Sequence, residues 1–374
     1  MFSVNFGTKI HMGEDSLKRL EQFDKERIYI ITDEFISKSE ILSKVMALIS
    51  SSNELLVFKD VIPDPPIDTI VAGIELAKDF RPTQVIAIGG GSAIDAAKGI
   101  IYFGQQSNNL MDASLICIPT TSGTGSEVTN FAIITDAENG TKYPLVTDDI
   151  LPKEAILDTS LVINLPQSQT ANTGIDVLTH AIEAMVSTKA SDISDAFAEK
   201  AIKLVFDYLP RAYKDGTDKV AREKMHIAST LAGLAFNQAS LGLNHGIAHA
   251  AGAKFHIAHG RLNGILLPYV IKFNSGISNS INQEVAEKYR YIASILDLNT
   301  ASATIGTRSL VNEINKLLTT LGIPHSFSEY GLDKKLFDDN LSEIADSAVK
   351  DMTTKTNPIP VTPKDVARIL IEAY

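Results

Sequence analysis

The sequence predicts two domains of different class: an α/β domain with a parallel sheet over residues 1–166, and an all-helical domain over residues 167–374. Three observations lead there. The chain has 374 residues, more than one hydrophobic core usually supports. Its first part alternates short, uniformly apolar runs with amphipathic stretches. After Leu165-Pro166 the apolar residues recur at helical spacing and β-branched runs become rare.

In the first domain, Ile28-Tyr29-Ile30-Ile31, Leu55-Leu56-Val57-Phe58, Val85-Ile86-Ala87-Ile88 and Leu115-Ile116-Cys117-Ile118 read as strands. Helical patterns through Lys44-Ala47-Leu48, Ile70-Ile74-Ala77 and Asp95-Ile100 separate them. Strands apolar on both faces need helices on both sides, which is the signature of a parallel sheet. Phe131-Ala132-Ile133-Ile134 and Ala155-Ile156-Leu157 extend the strand-like region, and Asp136 to Gly140 reads as a turn. In the second domain, helices are expected at 179–186, 196–209, 221–236, 244–253, 289–296 and 309–321.

Composition narrows the function classes. Hydrophobic residues make up 44% and charged residues 21%, with no apolar run long enough to span a bilayer. The N-terminus lacks the basic and apolar succession of a secretory signal, so a cytoplasmic location is expected. A net charge of −11 without a basic stripe argues against nucleic acid as a partner. Cys117 is the single cysteine and sits in an apolar strand, where it reads as core rather than nucleophile.

Two glycine-rich segments follow strands. Gly89-Gly90-Gly91-Ser92-Ala93-Ile94-Asp95 opens a helix, where glycines admit close backbone approach and free N–H groups favour a pyrophosphate; Ser92 and Asp95 also fit a capping box. A tight strand-to-helix turn is the alternative to nucleotide binding, since the full dinucleotide fingerprint is missing. Pro119 to Glu127 is dense in hydroxyls and glycines, and two such loops on neighbouring strands fit ligand binding at the carboxyl edge of an open sheet. Asp33, just past a strand, is placed to bond a ribose 2′-OH, which would favour NAD over NADP; a solvated loop aspartate is the alternative.

Histidines carry the second constellation. Most of the eight fall between Asn172 and Gly260. Asp176 and His180 are four apart, as are His245 and His249, so each pair shares a helix face. His256 and His259 follow. Imidazoles with one carboxylate and no thiolate suit Fe(II), Zn(II) or a similar divalent ion.

With these motifs in place and correctly spaced from end to end, the sequence resembles the iron-containing alcohol dehydrogenases. The resemblance extends through Gly174-Ile175-Asp176, His180-Ala181-Ile182-Glu183 and Asn263-Gly264-Ile265-Leu266-Leu267-Pro268. It implies a dehydroquinate synthase-like architecture, with a Rossmann-like N-terminal domain. It implies Asp176, His180, His245 and His259 as metal ligands and His249 as an unligated histidine near the catalytic centre. It implies cofactor contacts at Asp33, Gly90, Gly91, Ser92, Asp95, Thr120, Thr121, Thr124 and Lys142.

The implied activity is interconversion of a small primary alcohol and its aldehyde, ethanol/acetaldehyde or 1-propanol/propionaldehyde, with NAD. Four protein ligands leave an octahedral-leaning ion room for a substrate oxygen, which favours Fe2+ over Zn2+. Ala258 departs from the proline many relatives carry before the last ligand, which changes loop stiffness rather than the ligand. Short length likens the chain to the propanol dehydrogenases of propanediol-utilisation systems, and with them to a possible microcompartment setting. A homodimer is implied, joined around Val4-Asn5-Phe6. Competing readings are a glycerol dehydrogenase-like polyol oxidoreductase and, from another class, a metallohydrolase with Glu183 as base. His256 is open between a supporting and a structural role.

Overall fold

The computed structural model describes residues 5–110, 113–136 and 141–374, and divides into two compact units, Met1–Asn164 and Leu165–Tyr374. Among its described residues the first unit contains eight strands: β1 (Lys9–Met12), β2 (Arg27–Asp33), β3 (Glu54–Val61), β4 (Gln84–Gly89), β5 (Ser114–Pro119), β6 (Phe131–Asp136), β7 (Thr141–Val146) and β8 (Glu154–Leu157). Between them lie α1 (Glu34–Ser37), α2 (Glu40–Ala47), α3 (Ile67–Ala77) and α4 (Gly91–Gln106). Six strands form one parallel sheet in the order β1-β8-β5-β4-β2-β3.

The apolar runs are continuous because alternate residues feed opposite faces. Tyr29, Ile31, Val85, Ala87 and Cys117 enter one core, with Ile70, Ile94 and Ile100 from the helices. Ile28, Ile30, Ile86, Ile88, Ile116 and Ile118 enter the other, with Leu42 and Val45. Cys117 is fully buried, and burial pushes its thiol well above the ordinary value, so it remains an unreactive thiol.

The strand order reverses between β2 and β4. The chain runs from β2 outward to β3, then returns past β2 to β4 and on to β5. Asp33 ends β2 and Gly89 ends β4, so both stand at the crevice such a reversal opens.

Both further strand-like runs are strands, with different partners. Phe131–Asp136 pairs antiparallel with β7, whereas β8 joins the main sheet beside β5 and β1. β1 lies at Lys9–Met12, where it finds a parallel partner in β8, and Asn5 and Phe6 carry no regular secondary structure. Glu154 of β8 reinforces the pairing by accepting from His11 Nε2 at 2.7 Å and Arg19 Nη2 at 2.7 Å. Val4 and the turn at 137–140 lie outside the described residues.

The second unit is helical: α5 (Gln167–Val186), α6 (Asp192–Lys214), α7 (Lys219–Ala239), α8 (Leu243–Phe255), α9 (His259–Ser275), α10 (Gln283–Ile295), α11 (Ala303–Thr320), α12 (Phe327–Tyr330), α13 (Lys334–Lys350) and α14 (Pro363–Glu372). Local sequence starts most of them: Ser191, Asp218, Asn282, Ser302, Asp333 and Thr362 each accept a first-turn N–H. α5, α8 and α9 differ, following Pro166, Gly242 and Ala258 with no side-chain cap of their own. α5 is buried on all sides from Gly174 to Val186, and packs against α6, α7 and α9. Among the described residues no helix is long and apolar enough to cross a membrane.

Candidate metal centre

The helical unit brings α5, α8 and α9 together around a polar cluster. Asp176, His180 and Glu183 lie on one face of α5, at steps of four and three. His245 and His249 come from α8 and His259 opens α9. One ligand atom each from Asp176, His180 and His245 lies within 4.8 Å of the others. His245 Nε2 is 3.6 Å and His259 Nε2 3.5 Å from Asp176 Oδ1. Donors bonded to one ion at about 2.0–2.2 Å stand roughly 3 to 4.2 Å apart, so these separations suit a common ion.

Asn263 gives an independent test of fit. Its Nδ2 lies 2.7 Å from Asp176 Oδ1 and 3.1 Å from both His245 Nε2 and His259 Nε2. Asn244 Nδ2 donates to Asn263 Oδ1 at 2.9 Å, which fixes the amide with its nitrogen toward the cluster. With both rings neutral, as ligation requires, two amide hydrogens cannot satisfy three converging acceptors. A divalent ion can, and the set of one carboxylate and three imidazoles without thiolate is hard enough for Fe(II) as well as Zn(II).

The ring orientations are built from behind. His245 is 1% exposed, and its Nδ1 lies 2.5 Å from Oε2 of buried Glu183, which leaves Nε2 for an ion. Glu183 Oε1 also accepts from Asn244 N at 2.6 Å, so this carboxylate caps α8 from another helix. His180 stacks on His245 with ring centroids 4.6 Å apart, and on Phe236 of α7 at 4.7 Å. His249 stacks on His259 at 5.3 Å, and its Nδ1 lies 2.9 Å from Asp351 Oδ2.

Electrostatics follow from this packing. Burial opposes the ionised form of Asp176, but His180, His259 and His245 outweigh it and hold the carboxyl well below the usual range. Burial likewise opposes a charged His245, but Glu183 and Asp176 raise it to about 9. In the metal-free protein that ring is therefore an imidazolium at neutral pH, and it must lose a proton to ligate an ion. His256 stands apart from the cluster; it caps α8 in the left-handed region, with φ 52 and an exposed side chain.

In the first unit the two glycine-rich segments pack on each other. Thr120 N donates to Gly89 O at 3.0 Å. A Cβ at Gly91 would meet Thr124 Cγ2 at 2.8 Å, and one at Gly89 (φ +153) would lie 2.6 Å from Ala93 Cβ and 3.6 Å from Asp33 Oδ2. Asp33, Gly90, Gly91, Thr120, Thr121 and Thr124 thus share one strand-end region. Asp33 is not a solvated loop residue: its Oδ1 accepts from Ile36 N at 2.7 Å and caps α1.

The capping box expected of Ser92 and Asp95 is absent, because α4 begins two residues earlier than that box requires, with Gly90 at the cap, and Ser92 sits inside its first turn. Asp95 turns inward instead, accepting from Ser126 Oγ at 2.8 Å and Ile133 N at 3.1 Å. Beside it, buried Lys98 donates to Ser126 O, Ser126 Oγ, Thr129 Oγ1 and Phe131 O at 2.7–3.1 Å. The backbone of Lys142 pairs with Thr135, while its side chain lies outside the described residues.

Comparison with known proteins decides the family. Residues 7–159 match the model of the iron-containing alcohol dehydrogenases, and residues 170–374 that of the C-terminal part of the same family. The chain belongs to the iron-containing alcohol dehydrogenase family. This dehydrogenase is 42% identical over 374 residues to the 1-propanol dehydrogenase PduQ of Salmonella typhimurium, covering 100% of both chains. It is 37% identical to the NADPH-dependent butanol dehydrogenase of Clostridium saccharobutylicum, over 98% of this chain and 96% of that one. The solved iron-containing alcohol dehydrogenase of Thermococcus thioreducens superposes with a TM-score of 0.90 at 32% identity, covering 100% of this chain and 99% of that one.

Sequence reading missed Asn263 and Asp351 as parts of the site, and took Glu183 only as a candidate base. Glu183 was findable, being seven residues after Asp176 on the same helix face. Asp351 was not, since 102 positions separate it from His249.

Proposed function

We propose that this dehydrogenase interconverts a small primary alcohol, of the 1-propanol size class, and its aldehyde, with NAD(H) and a ferrous ion. One observation carries the proposal: a carboxylate and two imidazoles converge on an amide nitrogen that cannot satisfy all three, with the His180 imidazole beside them, in a chain similar over its whole length to a 1-propanol dehydrogenase.

Asp176, His180, His245 and His259 would hold the ion. When bound, the ion supplies Lewis acidity to the substrate oxygen, and the nicotinamide gives or takes the hydride. Asp176 enters this site already ionised. His249, adjacent to the cluster without being counted among the four ligands, carries the substrate proton. Residues 1–166 form the dinucleotide-binding part, with Gly90, Gly91, Ser92, Thr120, Thr121, Thr124 and Lys142 as contacts and Asp95 bracing the loop from below. Asp33 keeps Oδ2 on the crevice side, beside Gly89; a carboxylate there welcomes a ribose hydroxyl and repels a 2′-phosphate, which favours NAD over the NADPH named for the butanol enzyme. The resemblance to propanediol-utilisation enzymes extends the reading to a homodimer, in the cytoplasm or a microcompartment.

The test is anaerobic. Protein loaded with ferrous iron is mixed with NADH or NADPH and a series of short aldehydes, against a metal-stripped control. Metal-dependent oxidation of NADH, fastest near propionaldehyde, is expected. No oxidation of either nucleotide by any aldehyde, with metal bound, would overturn the proposal.

A further inference from the structure

Asp351 follows α13 and faces His249. Its Oδ1 accepts from Thr353 N at 2.8 Å and from Thr353 Oγ1 at 2.6 Å. Its Oδ2 lies 2.9 Å from His249 Nδ1. Burial alone would favour the protonated acid, but the contacts with His249 and Thr353 hold the carboxyl well below its ordinary value. An ionised carboxylate has no hydrogen to give, so the hydrogen between Asp351 and His249 must belong to Nδ1. In the neutral ring, Nε2 then carries the lone pair.

We propose that Asp351 is a positioning residue, which holds His249 in the Nδ1–H tautomer and so makes Nε2 the nitrogen that exchanges the substrate proton. Nε2 accepts the hydroxyl proton during alcohol oxidation and returns it to the oxygen during aldehyde reduction. This rests on the alcohol–aldehyde reaction proposed above. The anchoring is tight on the carboxylate side, because two Thr353 donors hold one oxygen and leave the other for the ring. The ring itself is confined on its far side, stacked 5.3 Å from His259 at an interplanar angle of 14° and edge-on to His245 at 5.9 Å. Side chains that are 24% and 21% exposed can thus keep a fixed geometry without deep burial.

The substitution Asp351→Asn replaces an obligate acceptor with an amide that can turn its NH2 toward Nδ1. That stabilises the opposite tautomer and blocks Nε2 with a hydrogen. The expected loss in kcat lies between about 10- and 100-fold, below the range for removing an acid–base group outright, because the ring remains in place. KM and metal content stay within about twofold. Asp351→Glu, which keeps a carboxylate, retains more activity than Asp351→Asn.

Two readouts separate positioning from mere structure. The first is a double-mutant cycle: in a His249→Ala background, Asp351→Asn changes kcat by less than about twofold. An equal loss with and without His249 would overturn the proposal. The second needs no turnover. Two-bond 15N–1H correlations of histidine-labelled, zinc-loaded protein report which nitrogen of His249 bears hydrogen, with Nδ1–H expected in the wild type and Nε2–H gained in Asp351→Asn. A wild-type Nε2–H tautomer would refute the assignment. If wild type turns over no alcohol, the proposed function fails, while the tautomer spectra still decide the role of Asp351.

Discussion

Replacing Gly260 by Ala probes how α9 sets the donor geometry. Gly260 directly follows His259. A Cβ there would stand 2.0 Å from Asn172 O, 2.7 Å from Asn172 C and 3.2 Å from Asp176 Cβ. The first two atoms are backbone of α5 and cannot rotate away, so the start of α9 must retreat by more than about 1 Å to restore an ordinary carbon–oxygen contact near 3.3 Å. His259 Nε2 rides on that segment, 3.5 Å from Asp176 Oδ1. Ligand distances tolerate only about 0.2 Å, so the shift removes His259 from the ligand set. The expected outcome is a loss of ion affinity greater than about tenfold, with metal-free protein destabilised by about 1–3 kcal/mol from overpacking. Chelator competition with ferrous or zinc ion reads the first quantity, and thermal unfolding the second. Gly252→Ala in α8 is the control, because its nearest contact, Leu262 Cδ1, lies at 3.4 Å. Wild-type ion affinity in Gly260→Ala, with α9 intact, would refute the reasoning.

Three further outcomes follow from the same geometry. Glu183→Gln leaves either Asn244 N or His245 Nδ1 facing an amide NH2; a 10- to 100-fold loss of ion affinity is expected from the disturbed ligand orientation, and unchanged affinity in a chelator titration would show that Glu183 only packs. Because His245 is raised to about 9 in the metal-free protein, its charge stabilises that form fully below pH 6.5 and this support is lost as pH rises through 9; zinc binding at pH 7.5 should release one proton, read by calorimetry in buffers of different ionisation enthalpy, and zero release would contradict the assignment. Asp195 is raised from 3.8 to about 6, by burial first and then by Glu199 and Asp192 against Lys288, so the folded state pays for its ionisation as pH rises from 3.8 through 6 and throughout above. Asp195→Asn should therefore raise stability above pH 6 and not below pH 4, by about 3 kcal/mol unscreened and on the order of 1 kcal/mol once its partial exposure is counted; an equal effect at both pH values would exclude the charge as its cause.

The sequence carried the parallel sheet because burial on both faces writes itself as unbroken apolar runs, and it carried the helical unit through period and composition. Spacing of four placed Asp176 with His180, and His245 with His249, on common faces. What it did not carry was pairing between distant elements. Nothing in Phe131–Asp136 distinguishes a strand of the main sheet from one that folds onto β7, since both are short and apolar; only the partner decides. The capping box at Ser92 failed for a related reason: a glycine at the cap lets the helix begin two residues earlier, and Asp95 finds better donors in Ser126 and Ile133 than in the start of its own helix. Asp351 reaches His249 only through the packing of α13 on α8.

The missing caps of α8 and α9 tie the fold to the chemistry. Elsewhere in the helical unit, α5 aside, polar residues next to the helix start satisfy the first N–H groups at a benefit of about 1 kcal/mol each. At α8 that task falls to Glu183, and Gly242 is the residue that permits it: a Cβ there would stand 2.8 Å from Glu183 Oε1. A local Ser or Asp at that position would satisfy the helix and block the carboxylate. By leaving the start of α8 open, the chain makes one buried group both hold the helix and set the direction of His245. The geometry of the ion site is thereby fixed by the same contact that joins α5 to α8, so it cannot loosen without the helix pair loosening too.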